Sequence, residues 1–294
     1  MLIVNPASGC GKALDILPDV DRIFADLGAG VDIRISENAA HATELARTAA
    51  AANYNRVIAM GGDGTINLVA SGIVGTGTIL GVIPTGKGDD FFRMLHISKD
   101  LPTTCRSALF GEPRLFDVGL LNNQPFFNML GIGFDARVAM EVKSSTQNLG
   151  LASYLMAVYK TLKNYPMYNL RLRIDSLDIE RTILLVAVGI GRSTGNGFYL
   201  TPQAVVDDGK FDVCLAVYTR PLRIMSLLPK ALKGKHVRAP EVTMYRCRQL
   251  EIFSMQPLPI HYEGETITSD NGKISIKISP DKLKVATGIK KNDE

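Results

Sequence analysis

Apolar positions along this chain change period partway through. Residues 2–4 form a short apolar run broken by Asn5-Pro6. After Gly11 the positions Leu14, Leu17, Val20, Ile23, Phe24 and Leu27 recur at helical spacing. Residues 31–35 alternate like a strand, and the alanine-rich stretch 39–52 reads as a helix. A wholly apolar strand at 57–60 runs into Gly61-Gly62-Asp63-Gly64-Thr65. A helix over 66–73 and an apolar strand over 79–83 follow. The turn Pro84-Thr85-Gly86-Lys87-Gly88 then leads into a helix from Asp89. Such alternation predicts an α/β domain, a parallel sheet with flanking helices on both faces. Ligands of such sheets bind beyond the C-terminal strand ends, where all three glycine-rich segments fall.

Beyond Pro113 the pattern becomes mostly short β-like runs. Residues 114–121 and 124–130 read as strands around the turn Asn122-Asn123, and helical stretches follow near 134–143 and 149–162. Strands are then predicted over 168–174, 179–190, 210–218, 241–245, 249–253, 258–262 and 273–278, with one helix around 220–235. This predicts a mainly β-sandwich second domain. At roughly 100–200 residues per domain, the 294 residues divide as 1–112 (α/β) and 113–294 (β-rich).

Composition narrows the partners. Hydrophobic residues are 46% and charged residues 21%, enough for ordinary cores. The net charge of +4 favours anionic partners such as nucleotides or acidic membrane surfaces, without the clustered excess of a nucleic-acid binder. Cys10, Cys105, Cys214 and Cys247 lack metal spacing and read as free thiols of a reducing compartment. The N-terminus has no basic region, and the longest apolar run is 183–190, far below the roughly 20 residues of a membrane span. The expectation is a soluble cytoplasmic protein that meets the inner membrane face, if at all, peripherally. Residues 220–238 hold six basic and no acidic residues among apolar ones. Such a helix either lies on an anionic membrane or packs on the sandwich with a solvated basic face.

The segment Gly61 to Thr65 suits phosphate. Its glycines let backbone amides approach an anion, and the following helix N-terminus adds partial positive charge. Asp63 would repel a naked phosphate, which points to a magnesium nucleotide or a ribose hydroxyl. A plain strand-to-helix turn is the competing reading. Ser8-Gly9-Cys10-Gly11-Lys12 is not a Walker A loop: Pro6 occupies its first glycine position and Ala13 its Ser/Thr position. Glu263 and Glu265 on their own read as solvated hairpin carboxylates, and Asp207-Asp208-Gly209 as a β-turn.

Taken in order, these segments resemble the diacylglycerol-kinase catalytic-domain family. Asn5-Pro6-Ala7-Ser8-Gly9 is similar to its opening motif, and Gly61 through Asn67 to its Gly-Gly-Asp-Gly-Thr-x-Asn signature. Pro84 to Arg93, Phe127-Asn128 with Gly131 to Ala136, Gly195 to Gly209 and Glu263-Gly264-Glu265 resemble further blocks, over essentially the whole chain. The resemblance implies an NAD kinase-like α/β domain and a lipid kinase using ATP and Mg2+. Asn5, Pro6, Ala7, Ser8, Gly9, Ser36, Gly61, Gly62, Asp63, Gly64, Thr65, Ile66, Asn67 and Lys87 fall where the family contacts nucleotide. Asp208, with the carbonyls of Val205 and Lys210, matches its magnesium position, and Glu265 its general base.

Four positions depart from the family: Leu68 for glutamate, Lys87 for threonine, Asp89 for asparagine and Glu263 for aspartate. They keep two alternatives open, a kinase of a soluble small molecule and a nucleotide-binding regulator with lost catalysis. Exposed β-edges of the second domain would let two copies pair as a homodimer. The acceptor itself is not readable from sequence.

Overall fold

The structure, a computed structural model, describes residues 1–86, 88–144, 151–195, 197–269 and 272–289. They form two compact units: Met1–Val118 together with the residues from Ser279 on, and Gly119–Ile278.

The first unit is built on a six-stranded sheet in the order Ile33–Ile35, Leu2–Val4, Arg56–Gly61, Ile79–Pro84, Leu283–Ala286, Pro113–Phe116. The first five strands are parallel and the last is antiparallel. Leu2, Ile3, Val4 and Val57–Met60 are fully buried, which is why they read as unbroken apolar runs: helices cover the sheet on both faces. Helix Ala39–Ala51 starts at Asn38, whose Oδ1 accepts the His41 amide at 2.9 Å. Its small face lies close against helix Asp63–Ile73, so close that a Cβ on Gly72 would sit 2.6 Å from the Thr43 carbonyl oxygen.

The second unit is an 11-stranded antiparallel, sandwich-like sheet. Its spine runs Glu265–Thr268, Pro259–Tyr262, Met129–Gly133, Leu177–Gly189, Tyr168–Ile174, Gln249–Ser254, Gly272–Ile278, Gly119–Leu121, Gln124–Phe126. Phe211–Val217 and Val242–Cys247 branch from the long strand Leu177–Gly189, whose register breaks between Ile183 and Leu185. Tyr168–Ile174 alternates strictly between buried and exposed. Helices Phe134–Ser144, Leu151–Lys163 and Pro221–Ala231 accompany this sheet. Among the described residues no helix is long and apolar enough to cross a membrane.

The α/β fold followed by a β-sandwich-like domain is as the sequence predicts. The units divide differently from 1–112 and 113–294, because Pro113–Phe116 and Leu283–Ala286 are strands of the first sheet. Leu283 and Val285 are fully buried there, and the buried Asp117 is ion-paired with Lys282. The stretch read as one strand, 114–121, breaks at Asp117-Val118. The helix expected over 220–235 ends at Ala231, and Lys235–Arg238 continues as a separate 3-10 turn.

Candidate active site

In the first unit, three parallel strands end together, and their loops interlock. The Asn5 amide donates to the Met60 carbonyl at 3.0 Å, and the Thr85 amide to the Gly61 carbonyl at 3.0 Å. The Asn5 side chain donates to Thr65 Oγ1 at 2.8 Å while its Oδ1 accepts the Ala7 amide at 3.0 Å. The hydroxyls of Thr85 and Ser8 are 2.8 Å apart, and Gly62 and Gly86 meet so closely that a Cβ on Gly86 would lie 2.7 Å from the Gly62 Cα. Gly9 has φ 63°, and a Cβ there would sit 2.2 Å from the Thr85 carbonyl oxygen. Gly9→Ala is therefore expected to destabilise the chain by about 2 kcal/mol, a Tm drop of roughly 4–8 °C by calorimetry.

Helix Asp63–Ile73 starts in this cluster with Gly62 at its N-cap and no side-chain cap, leaving first-turn amides for an anion. The Asn67 side-chain oxygen is buried there without a hydrogen-bond partner. Asp63 does more structural work than expected. Its Oδ1 accepts the Phe91 amide at 2.9 Å, pinning the segment after Gly88 to the helix start. Burial raises its pKa, and amides of residues 89–91 partly offset that rise. Ser36 is buried, its hydroxyl turned to the Val4 carbonyl at 3.2 Å. Ile66 is buried in the helix's inner face, so only its backbone is available. Lys87 lies outside the described residues. Asp89, with φ 52°, pairs with Lys99 at 3.0 Å.

In the second unit the two glutamates of Glu263-Gly264-Glu265 separate. Tyr262 pairs with Glu265 across a two-residue turn in which Glu263 and Gly264 have φ 50° and 82°. Such a turn requires positive φ at both central positions. It leaves Glu265 exposed at the head of the return strand, and it buries Glu263. Glu263 Oε1 accepts the amides of Phe127 at 2.7 Å and Asn128 at 2.9 Å. The Asn128 carbonyl in turn accepts the amides of Ile190 and Gly191, and its side chain donates to the Ser193 carbonyl at 3.2 Å.

Asp208 stands in a turn closed by its own Oδ1, which accepts the Lys210 amide at 3.0 Å. Its other oxygen is ion-paired with Arg246, which also lies 3.6 Å from Asp212. Val205 is partly exposed nearby in sequence. Hard oxygen donors suit magnesium, but here the carboxylate is spent on an amide and a guanidinium. As arranged, the Asp208 carboxylate is not open to a bound ion. Among the described residues no three His, Cys, Asp or Glu side chains converge as a metal site.

The second unit also holds an open-mouthed cavity of about 370 Å3 between helix Phe134–Ser144, the long strand and helix Pro221–Ala231. Its wall is almost entirely hydrocarbon, from residues such as Phe134, Val138, Leu184, Phe198 and Leu227. One carboxyl, that of Asp135, lies in it. Both its oxygens are shut from solvent without a well-formed hydrogen bond, although the residue as a whole is only partly buried. Burial pushes its pKa up to about 7, against a partial pull from first-turn backbone amides of its own helix. The carboxyl rests on Gly131, where a Cβ would lie 1.6 Å from Oδ2. The sequence places Asp135 in the family-like block Gly131 to Ala136 but assigns it no role, since there it resembles any helix-starting aspartate.

Comparison with known proteins joins the two units. Diacylglycerol kinases of two Staphylococcus aureus strains, bovine RF122 / ET3-1 and MRSA252, are each 29% identical over 267 residues, covering 90% of this chain and 85% of theirs. The crystal structure of a diacylglycerol kinase from Bacillus anthracis str. Sterne superposes with TM-score 0.74 at 18% identity, over 98% of this chain and 96% of that one. An NAD kinase from Archaeoglobus fulgidus in complex with ATP has TM-score 0.57 at 14% identity, over 98% and 94%. Residues 1–121 match the diacylglycerol kinase catalytic domain, and residues 128–287 the YegS C-terminal NAD kinase beta sandwich-like domain. With both halves matched, the chain belongs to the diacylglycerol kinase catalytic-domain family and is a kinase of the NAD kinase-like fold.

Proposed function

We propose that this chain transfers the γ-phosphate of ATP, taken up as its magnesium complex, to a hydroxyl of a lipid or lipid-like acceptor. The observation that carries the lipid half of this reading is the apolar cavity with a single carboxyl on its wall. An alkyl chain entering it gains roughly 0.8 kcal/mol per buried methylene. The nucleotide half is supported by the interlocked glycine-rich loops, the uncapped helix start and the partnerless Asn67 oxygen.

In this reading, Asn5 to Gly9 and Gly61 to Asn67 cradle the phosphates through backbone amides, with Ser36 and Lys87 in the same nucleotide set. Positioning and charge neutralisation do most of the work in phosphoryl transfer. The acceptor oxygen attacks the γ-phosphorus as the bond to the β,γ-bridging oxygen breaks, and ADP leaves. Glu265, exposed on its hairpin, takes the acceptor's proton.

The test follows label from γ-labelled Mg-ATP into diacylglycerol, monoacylglycerol, a ceramide-type base, phosphatidylglycerol and a water-soluble polyol. Label is expected in one lipid class and lost with Asp63→Ala, whose carboxylate holds the loop after Gly88 in place. Measurable ATP binding with no label in any lipid would sink the lipid half. Weight would then pass to a soluble acceptor or, with no label anywhere, to a regulator.

A further inference from the structure

Helix Pro221–Ala231 has two faces with different work. Ile224, Leu227, Leu228 and Ala231 line the cavity. Arg223 clamps the helix by two hydrogen bonds to Glu241, at 2.8 and 3.0 Å. The opposite face carries Leu222, 84% exposed, then Ser226, Pro229, Lys230 and Lys233, all exposed. The spacing of four, seven, eight and eleven residues from Leu222 puts them on one side of a helix and its C-terminal extension. Leu232 and Tyr199 beside it are 45% and 38% exposed, with the Tyr199 amide bonded to the Ala231 carbonyl at 3.0 Å. Arg220, Lys233, Lys235 and Arg238 are exposed and form no ion pair among the described residues, while the exposed Lys230 acts at longer range on Glu241 and helps hold its pKa down. No acidic residue occurs from Arg220 to Arg238. Helix Leu151–Lys163, which touches this helix, exposes Met156 and Tyr159 beside Lys160 and Lys163 on its own outer side.

A leucine 84% exposed among exposed cations is poorly suited to water and well suited to a surface that is anionic outside and apolar just beneath. We propose that the outer face of helix Pro221–Ala231, centred on Leu222, Lys230 and Lys233, is the surface by which this protein docks on an anionic lipid bilayer. Leucine and tyrosine enter the headgroup boundary and the lysines meet the lipid phosphates. The proposal rests on the lipid-acceptor reading for its purpose, since the same helix walls the cavity: docking brings the cavity's outer wall to the layer where the acceptor resides. Charge complementarity favours a bilayer over a second copy of this chain, whose own matching surface carries the same positive sign and would repel it.

The test is co-sedimentation of the full chain with two kinds of vesicle, pure phosphatidylcholine and equimolar phosphatidylcholine–phosphatidylglycerol. Binding is expected only to the second, and is expected to weaken steeply near 1 M salt, where the Debye length is about 3 Å. Lys230→Ala with Lys233→Ala should weaken it roughly 25-fold, at about 1 kcal/mol per basic residue. Leu222→Asp should weaken it at least about tenfold through the lost leucine burial. All variants should keep wild-type transfer to a short-chain acceptor dispersed as monomers. Equal binding to both vesicles, or variants that bind like wild type, would overturn the proposal. So would a variant that dissociates a dimer seen by sedimentation, since the face would then belong to a second copy. Vesicle binding that follows these expectations while no acceptor is ever phosphorylated would instead remove the kinase reading and leave the docking surface standing.

Discussion

Glu263→Ala should unfold this protein roughly 10 °C earlier, whereas Glu265→Gln, two residues on, should leave Tm unchanged and remove most of the turnover. The first effect follows from burial. Glu263 Oε1 serves two buried amides, those of Phe127 and Asn128, across 136 and 135 residues of sequence. Truncation leaves both donors unsatisfied at about 1–3 kcal/mol each, so about 4 kcal/mol together. At 2–4 °C per kcal/mol for a chain of this order, the shift is roughly 10 °C. The loss reaches further than the pair, because Asn128 also holds Ile190, Gly191 and Ser193. Glu265 is exposed at the head of its strand. Removing its basicity while keeping its shape should lower kcat about 10²–10⁴-fold with the affinity for ATP preserved. Calorimetry and steady-state kinetics on the two variants separate the roles. A Glu265→Gln enzyme with wild-type kcat would remove it as the base, and a Glu263→Ala chain with wild-type Tm would remove the hub.

Local pattern carried the fold as far as local pattern reaches. Strands buried on both faces, such as Val57–Met60, are unbroken apolar runs, and Tyr168–Ile174 alternates as a half-buried strand must. Leu283–Ala286 escaped because four residues carry no period of their own; their place is set by partners some 170–200 residues earlier, Pro113–Phe116 and Ile79–Pro84. The interlocked glycine-rich edge was legible because glycines must stand where backbones touch, as at Gly9, Gly62 and Gly86. The separate environments of Glu263 and Glu265 were not, since hairpin phase alone decides which carboxylate turns inward. Glu263 is informative here. Aspartate, the family's residue, tolerates positive φ better than glutamate does. The longer side chain accepts that local strain and repays it through the two amides it reaches.

Asp135→Asn should make the protein more resistant to heat, but only above acid pH. The carboxyl is held near pKa 7 by burial, against 3.8 for the free group. Below about pH 4 both folded and unfolded chains carry it protonated, and it makes no difference to stability. As pH rises, the unfolded chain releases its proton first, so the folded state is progressively penalised until the buried group also ionises near pH 7. The stabilisation present in acid is thereby lost, by about 4 kcal/mol at full separation of the two pKa values. Asparagine cannot ionise. The Tm difference between variant and wild type should therefore grow by on the order of 10 °C from pH 4 to pH 8. A difference that stays flat across this range would mean that the carboxyl is not held protonated. The cavity around it is mostly hydrocarbon, and an uncharged side chain would suit the fold better. A group that burdens stability at the wall of a pocket is best understood by what enters the pocket. The same Asp135→Asn protein, more stable at pH 8, is accordingly expected to lose acceptor phosphorylation while its ATP affinity, which the proposed function assigns to the glycine-rich loops, stays as it was.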